Sequence, residues 1–117
     1  PMAYVRSSAK KHGRQNRIEG RLQPGQKVVV VEDLISTGGS ALDAVAALRD
    51  VDVEVLGTLA IFTYGFAKAE TSFAEANCQL KTLTDYPTLI RVATNNGTVN
   101  SDDVSILQEW RSRVGAQ

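Results

Sequence analysis

Cysteine, histidine and tryptophan each occur once in these 117 residues, and proline three times. A single cysteine, Cys78, makes no internal disulfide framework and suits a reducing compartment. A single histidine, His12, excludes a metal site built on several imidazoles. No apolar run approaches the roughly 20 residues of a membrane span, and the N-terminus lacks the charged-then-apolar layout of a secretory signal. A cytoplasmic protein without a membrane partner is therefore expected. Gly-Lys-Ser/Thr and G-x-G-x-x-G are both missing, which excludes a Walker-type loop and the dinucleotide fingerprint. Neither an internal repeat nor a low-complexity segment interrupts the chain, and its length allows one small domain.

Net charge is zero, but its distribution is lopsided. Residues 1–21 carry +5, from Arg6, Lys10, Lys11, Arg14, Arg17 and Arg21 against Glu19, and the remainder carries −5. A basic segment poor in apolar residues beside an acidic body is suited to handling a small anion. Because no aromatic residue lies between residues 6 and 21, this segment has no stacking platform, and nucleic acid is not the expected partner.

Val28-Val29-Val30-Val31 reads as a strand buried on both faces of a parallel sheet. Glu32 and Asp33 follow at its C-terminal end, where open α/β sheets place ligands. Leu34-Ile35 leads into Ser36-Thr37-Gly38-Gly39-Ser40, and Ala41, Leu42, Val45, Ala46 and Leu48 give the period of an amphipathic helix over residues 39–50. Earlier, residues 2–6 read as a short strand, and residues 7–25 as a long polar loop punctuated by Gly13, Gly20 and Pro24-Gly25. Later, Val53 to Phe62 reads as a second apolar strand, completing a βαβ unit. Gly65 opens a helix with Phe66, Ala69, Phe73 and Ala76 on one face. Leu80 and Leu83 lie on a short strand ending at Thr84-Asp85. Asp85 with Pro87 starts a helix over 86–95 that stops at Asn96-Gly97. Ser101, Asp102 and Asp103 are expected to cap a last helix whose stripe is Val104, Leu107, Trp110 and Val114. The alternation predicts an α/β fold with a parallel sheet.

A glycine-rich turn between strand and helix exposes backbone N–H groups, and the helix N-terminus adds partial positive charge; both favour a phosphate. Ser36, Thr37 and Ser40 add hydroxyl donors. Glu32 and Asp33 would repel that phosphate, but they suit the hydroxyls of a ribose attached to it. The expected ligand is a sugar phosphate.

The run of apolar residues, acidic pair, Leu34-Ile35 and Ser36-Thr37-Gly38-Gly39-Ser40 is similar to the phosphoribosyl-pyrophosphate (PRPP) motif of type I phosphoribosyltransferases. Tyr4-Val5-Arg6, Lys10-Lys11-His12-Gly13 and Asn16-Arg17-Ile18-Glu19-Gly20 resemble the catalytic loop of the orotate phosphoribosyltransferase family, with Ser7 where a lysine is usual. Ile61-Phe62-Thr63-Tyr64-Gly65-Phe66 and Leu83-Thr84-Asp85-Tyr86 extend the resemblance over nearly the whole chain.

The resemblance implies a Rossmann-like parallel sheet of the type I phosphoribosyltransferase core, lacking its N-terminal part. Residues 1–117 would be the C-terminal portion of that core, with 7–25 a mobile catalytic loop and 28–40 the PRPP motif. It implies transfer of the phosphoribosyl group from PRPP to orotate, giving orotidine 5′-monophosphate and pyrophosphate, with Mg2+ held mainly by PRPP and water and no protein metal ligand. Lys10 and His12 would be catalytic. PRPP would be bound by Arg6, Lys10, His12, Glu32, Asp33, Leu34, Ile35, Ser36, Thr37, Gly38, Gly39 and Ser40, and orotate by Ser36. The loop would act in trans within a homodimer. The alternatives are a non-catalytic PRPP-sensing domain and a purine phosphoribosyltransferase, the latter disfavoured by the spacing of Arg6, Lys10, His12 and Gly13.

Other residues have plainer readings. Lys11, Arg14 and Arg21 read as solvated loop charges, Arg17-Ile18-Glu19 as the anchor of the loop's return, and Cys78 as a small buried residue. Trp110 reads as core or interface packing, and Tyr64 and Phe66 as packing at a strand end, with facing a base as their alternative. The chain opens Pro1-Met2-Ala3-Tyr4-Val5, strand-like with no initiator methionine before it, so it is expected to be the C-terminal piece of a longer protein. The fragment by itself would then be weakly active or inactive while still binding PRPP.

Overall fold

A computed structural model describes residues 1–6 and 17–116. Its centre is a parallel sheet of β3 (Lys27–Ile35), β4 (Glu54–Thr63) and β5 (Leu80–Asp85), in that spatial order. α1 (Gly39–Asp50) crosses from β3 to β4, and α2 (Ala67–Glu75) crosses from β4 to β5. α3 (Tyr86–Asn95) and α4 (Ser101–Gly115) complete the chain order. Apart from the sheet, β1 (Tyr4–Val5) pairs antiparallel with β2 (Ile18–Glu19).

The β-branched run forms its strand as expected, but β3 continues through Glu32, Asp33 and Leu34 to Ile35, so the acidic pair is part of the strand. The expectation of burial on both faces needs correction: Val29 is 52% and Val31 75% exposed. Among the described residues α1 packs against β3 and β4, whereas Val29, Val31, Ile61 and Leu83 stand uncovered. A run of valines reports strand propensity and apolarity; it does not say what covers each face.

The core lies beneath α1 and α2, where Ile35, Ala41, Val45, Ala60, Ala69, Phe73 and Cys78 form one buried cluster. Small residues on both helices let them approach the sheet closely, and Phe73 fills the space between. Cys78 is buried beside the Thr58 hydroxyl, as a structural residue would be. Arg49, at the end of α1, donates to the carbonyls of Ala76 and Asn77 at 2.6 and 3.1 Å, satisfying acceptors at the end of α2.

Beyond the start of α2, which falls at Ala67 after the N-cap Phe66 and not at Gly65, the remaining ends follow local rules, with two differences from expectation. Asp85 caps α3 by accepting from the Thr88 N–H at 2.9 Å, with Pro87 in the first turn. The N-cap of α4 is Asn100, one residue before the expected start, and Asp103 returns the bond in a capping box. Asn96 is right-handed and Gly97 alone takes the left-handed conformation, at φ 74. The second difference lies in residues 18 and 19, which form β2 where loop was expected. Two residues carry too little periodicity to register as a strand.

Tyr64 packs against Phe62, Phe66, Tyr86 and Trp110, with ring centroids 5.2 to 5.8 Å away. The Tyr86 hydroxyl donates to the Leu107 carbonyl at 3.0 Å, and the Arg111 guanidinium donates to the carbonyls of Tyr64 and Gly65. These contacts dock α4 onto the carboxyl edge of the sheet. No helix among the described residues is long and apolar enough to cross a membrane.

Truncating the residue that fills the helix–sheet space should be costly. Phe73→Ala is expected to lose roughly 3–5 kcal/mol, read as a lower urea midpoint with an unchanged m-value.

Candidate functional site

Three strands end side by side, with Ile35 in register with Thr63 and Thr63 with Asp85. The turn after β3 is therefore set on the carboxyl edge of a parallel sheet, the edge at which open α/β sheets take their ligands. Its position is locked from the β4 side, because the Tyr64 N–H donates to the Ile35 carbonyl at 3.1 Å.

Within the turn, Ser36, Thr37, Gly39 and Ser40 are exposed and Gly38 is buried. Gly38 has φ 86, in the left-handed region, and a Cβ there would lie 2.8 Å from Cε2 of Phe73. Conformation and close approach both demand glycine. The Gly38 carbonyl accepts from Leu42 N–H at 3.0 Å, which starts the α1 ladder. The amides of residues 39–41 precede that bond and have no intrahelical acceptor. No side chain caps this end, and no acidic residue lies in its first turn. Thr37 Oγ1 only approaches the Gly39 N–H, at 3.5 Å. The arrangement suits an anion at the helix N-terminus.

Glu32 and Asp33 hold themselves at the end of β3 through local bonds. Asp33 N–H donates to Glu32 Oε1 at 3.2 Å, and Leu34 N–H donates to Asp33 Oδ1 at 2.7 Å. Partial burial, and then the contact with Asp33, hold the Glu32 carboxyl above its ordinary value of 4.5. Of the motif's apolar members, Ile35 is a core residue at 1% exposure, while Leu34 is 44% exposed. Ile35 thus supports the site from below and does not line it.

Arg6 lies directly after β1, and its guanidinium pairs with Glu19 on β2. Lys10 and His12, together with Ser7, fall outside the described residues. The contact that sequence reasoning missed is Asp43, on the second turn of α1, which takes a two-pronged ion pair from Arg17. A pairing across 26 positions leaves no local signature.

Fold and site together define an α/β domain with an exposed, glycine-containing turn at a helix N-terminus on the carboxyl edge of its parallel sheet. The chain belongs to the phosphoribosyl transferase domain family, whose model matches residues 1–88. It is similar to the orotate phosphoribosyltransferase of Bacillus subtilis, at 58% identity over 111 residues, covering 95% of this chain and 51% of that protein. Among solved structures, the orotate phosphoribosyltransferase of Mycobacterium tuberculosis in complex with PRPP superposes with a TM-score of 0.56 at 37% identity, over 68% of this chain and 46% of that one. Leishmania donovani UMP synthase shares the fold with a TM-score of 0.79 at 20% identity, covering 95% of this chain and 24% of that one. The chain spans about half the length of the curated relatives it matches.

Two outcomes follow from this geometry. Gly38→Ala places a side chain against Phe73 and strains the turn, so it should destabilise the fold by roughly 1–3 kcal/mol, read as a lower urea midpoint. The raised Glu32 value means that the folded chain holds this proton more tightly than the unfolded chain does. Ionised Glu32 therefore costs stability at neutral pH, and the cost disappears once pH falls below the ordinary 4.5. Glu32→Gln should melt above the parent at pH 7, with the gap closing on acidification.

Proposed function

We propose that this chain carries the PRPP-binding part of an orotate phosphoribosyltransferase, which moves the phosphoribosyl group of PRPP to orotate and releases pyrophosphate in pyrimidine biosynthesis. One observation carries the reading. Glu32 and Asp33 lie near the end of a parallel strand, two residues before a turn whose buried Gly38 opens a helix free of acidic residues in its first turn. The similarity to orotate phosphoribosyltransferases supports the choice of acceptor.

In this proposal the 5′-phosphate lies against the amides of Thr37–Ser40 and their hydroxyls, where backbone N–H groups and the helix terminus offset its charge. Glu32 and Asp33 accept from the ribose hydroxyls, and Ser36 donates to orotate. As the bond to pyrophosphate breaks, positive charge develops on the ribose and negative charge on the leaving group. Arg6, Lys10 and His12 place cationic donors at that leaving group, which favours the transition state over the bound substrate. The His12 imidazole would also be able to give a proton to the departing pyrophosphate.

Mg2+ keeps several waters and binds through one or two carboxylates plus substrate phosphates. Glu32 and Asp33 would not ligate the ion directly; they would meet it only through water or the ribose oxygens, with PRPP and water as its main ligands. When bound, the ion supplies positive charge beside the leaving group. The proposal also includes a homodimer in which Lys10 and His12 serve the partner's site. A cytoplasmic setting suits the single buried Cys78.

The decisive experiment splices this chain in place of the matching segment of the Bacillus subtilis relative and follows orotidine 5′-monophosphate formation. Turnover is expected. Substituting Lys10 and His12 together with alanine should cut it by at least about a hundredfold while leaving ribose 5-phosphate affinity intact. A chimera that binds PRPP but forms no product would overturn the enzyme reading and leave a PRPP sensor.

A further inference from the structure

We propose that Arg17 is a positioning residue for Arg6: it ties the backbone at Arg6 to the helix that carries the phosphate cradle, and so sets affinity for the diphosphate end of PRPP without touching it. The inference rests on the reading of Arg6 as a pyrophosphate contact.

β1 and β2 are two residues each, and an isolated two-stranded pairing of that length does not hold itself in water. Arg17 supplies what the hairpin lacks. Only 9% exposed, its guanidinium donates from Nε and Nη2 to the Arg6 carbonyl at 3.1 and 3.0 Å. Nη1 and Nη2 donate to the two carboxylate oxygens of Asp43 at 3.2 and 2.5 Å. The Arg17 carbonyl in turn accepts from Arg6 N–H at 2.6 Å. The peptide groups on both sides of the Arg6 Cα are thus held by one residue, and that residue is held on α1.

Asp43 follows Gly39, the first residue of α1, by four positions, which puts it about 6 Å along the axis on the same side as the cradle amides. The clamp is therefore anchored one turn from the candidate phosphate site. A planar fork is required, because a lysine ammonium cannot span a carbonyl and both oxygens of a carboxylate in fixed geometry. The clamp also neutralises Asp43, a negative charge that would otherwise stand near the bound phosphate.

If the clamp positions Arg6, its loss should separate two ligands. PRPP presents phosphate at both ends, whereas ribose 5-phosphate presents only the end that the cradle takes. Calorimetric titrations of the 117-residue chain with each ligand are expected to show PRPP affinity falling about tenfold in Arg17→Lys and in Asp43→Asn. Ribose 5-phosphate affinity should stay within about threefold of the parent in both. Asp43→Asn keeps the side-chain shape, which guards against a variant that merely fails to fold. Arg6→Ala serves as the reference and should match the PRPP loss. Equal losses for both ligands would reduce Arg17 to a structural part and overturn the inference. So would unchanged PRPP affinity in the clamp variants beside a weakened Arg6→Ala, which leaves the reading of Arg6 standing. An Arg6→Ala variant that binds PRPP like the parent would overturn the inference and that reading together.

Discussion

The approach of Phe73 to Gly38 is the constraint on which the site depends. α2 delivers an aromatic ring to the underside of the turn between β3 and α1, and the backbone there must pass without a Cβ. With the turn pressed down at that point, the residues on either side rise outward, so Ser36, Thr37, Gly39 and Ser40 are exposed while Gly38 is buried. The same contact couples the shape of the turn to folding, since Phe73 belongs to the buried cluster that joins both helices to the sheet. The proposed phosphate cradle is the outer surface of the core.

Electrostatics at the carboxyl edge of the sheet is divided by position. Acidic side chains occupy the strand end, where they can meet hydroxyls, and the helix terminus is kept free of them in its first turn. The next carboxylate along α1, Asp43, is paired with Arg17. Glu32 and Asp33 thus carry local hydrogen bonds, and Asp43 a cationic partner. Partial burial of Glu32 raises its affinity for a proton, a cost in folding that is accepted where the ribose is proposed to sit.

Much of this was legible along the chain, because it rests on neighbours in sequence. The helix over 39–50, the Asp85 cap with Pro87, and the glycines after Thr37 are local features whose physics needs only a few consecutive residues. Even there, boundaries moved. The Val28–Val31 run extends to Ile35 because pairing with β4 continues through Leu34↔Phe62 and Ile35↔Thr63, and pairing is not a property of one strand. Asn100 displaced Ser101 as the cap of α4 through a reciprocal bond with Asp103 that either residue type could have offered.

By itself the sequence determined the alternation of strand and helix, the order of acidic pair and glycine turn, and the concentration of basic charge before them. Those follow from side-chain period, turn stereochemistry and composition, all of which are short-range. Tertiary structure decided which faces are covered, leaving Val31 exposed and placing Ile35 in the core. It also decided why Gly38 must be glycine and where Arg17 finds its carboxylate. A ring 35 positions away in sequence and a charge 26 positions away reach the site only when the chain packs helix against sheet, and no local pattern encodes their distance.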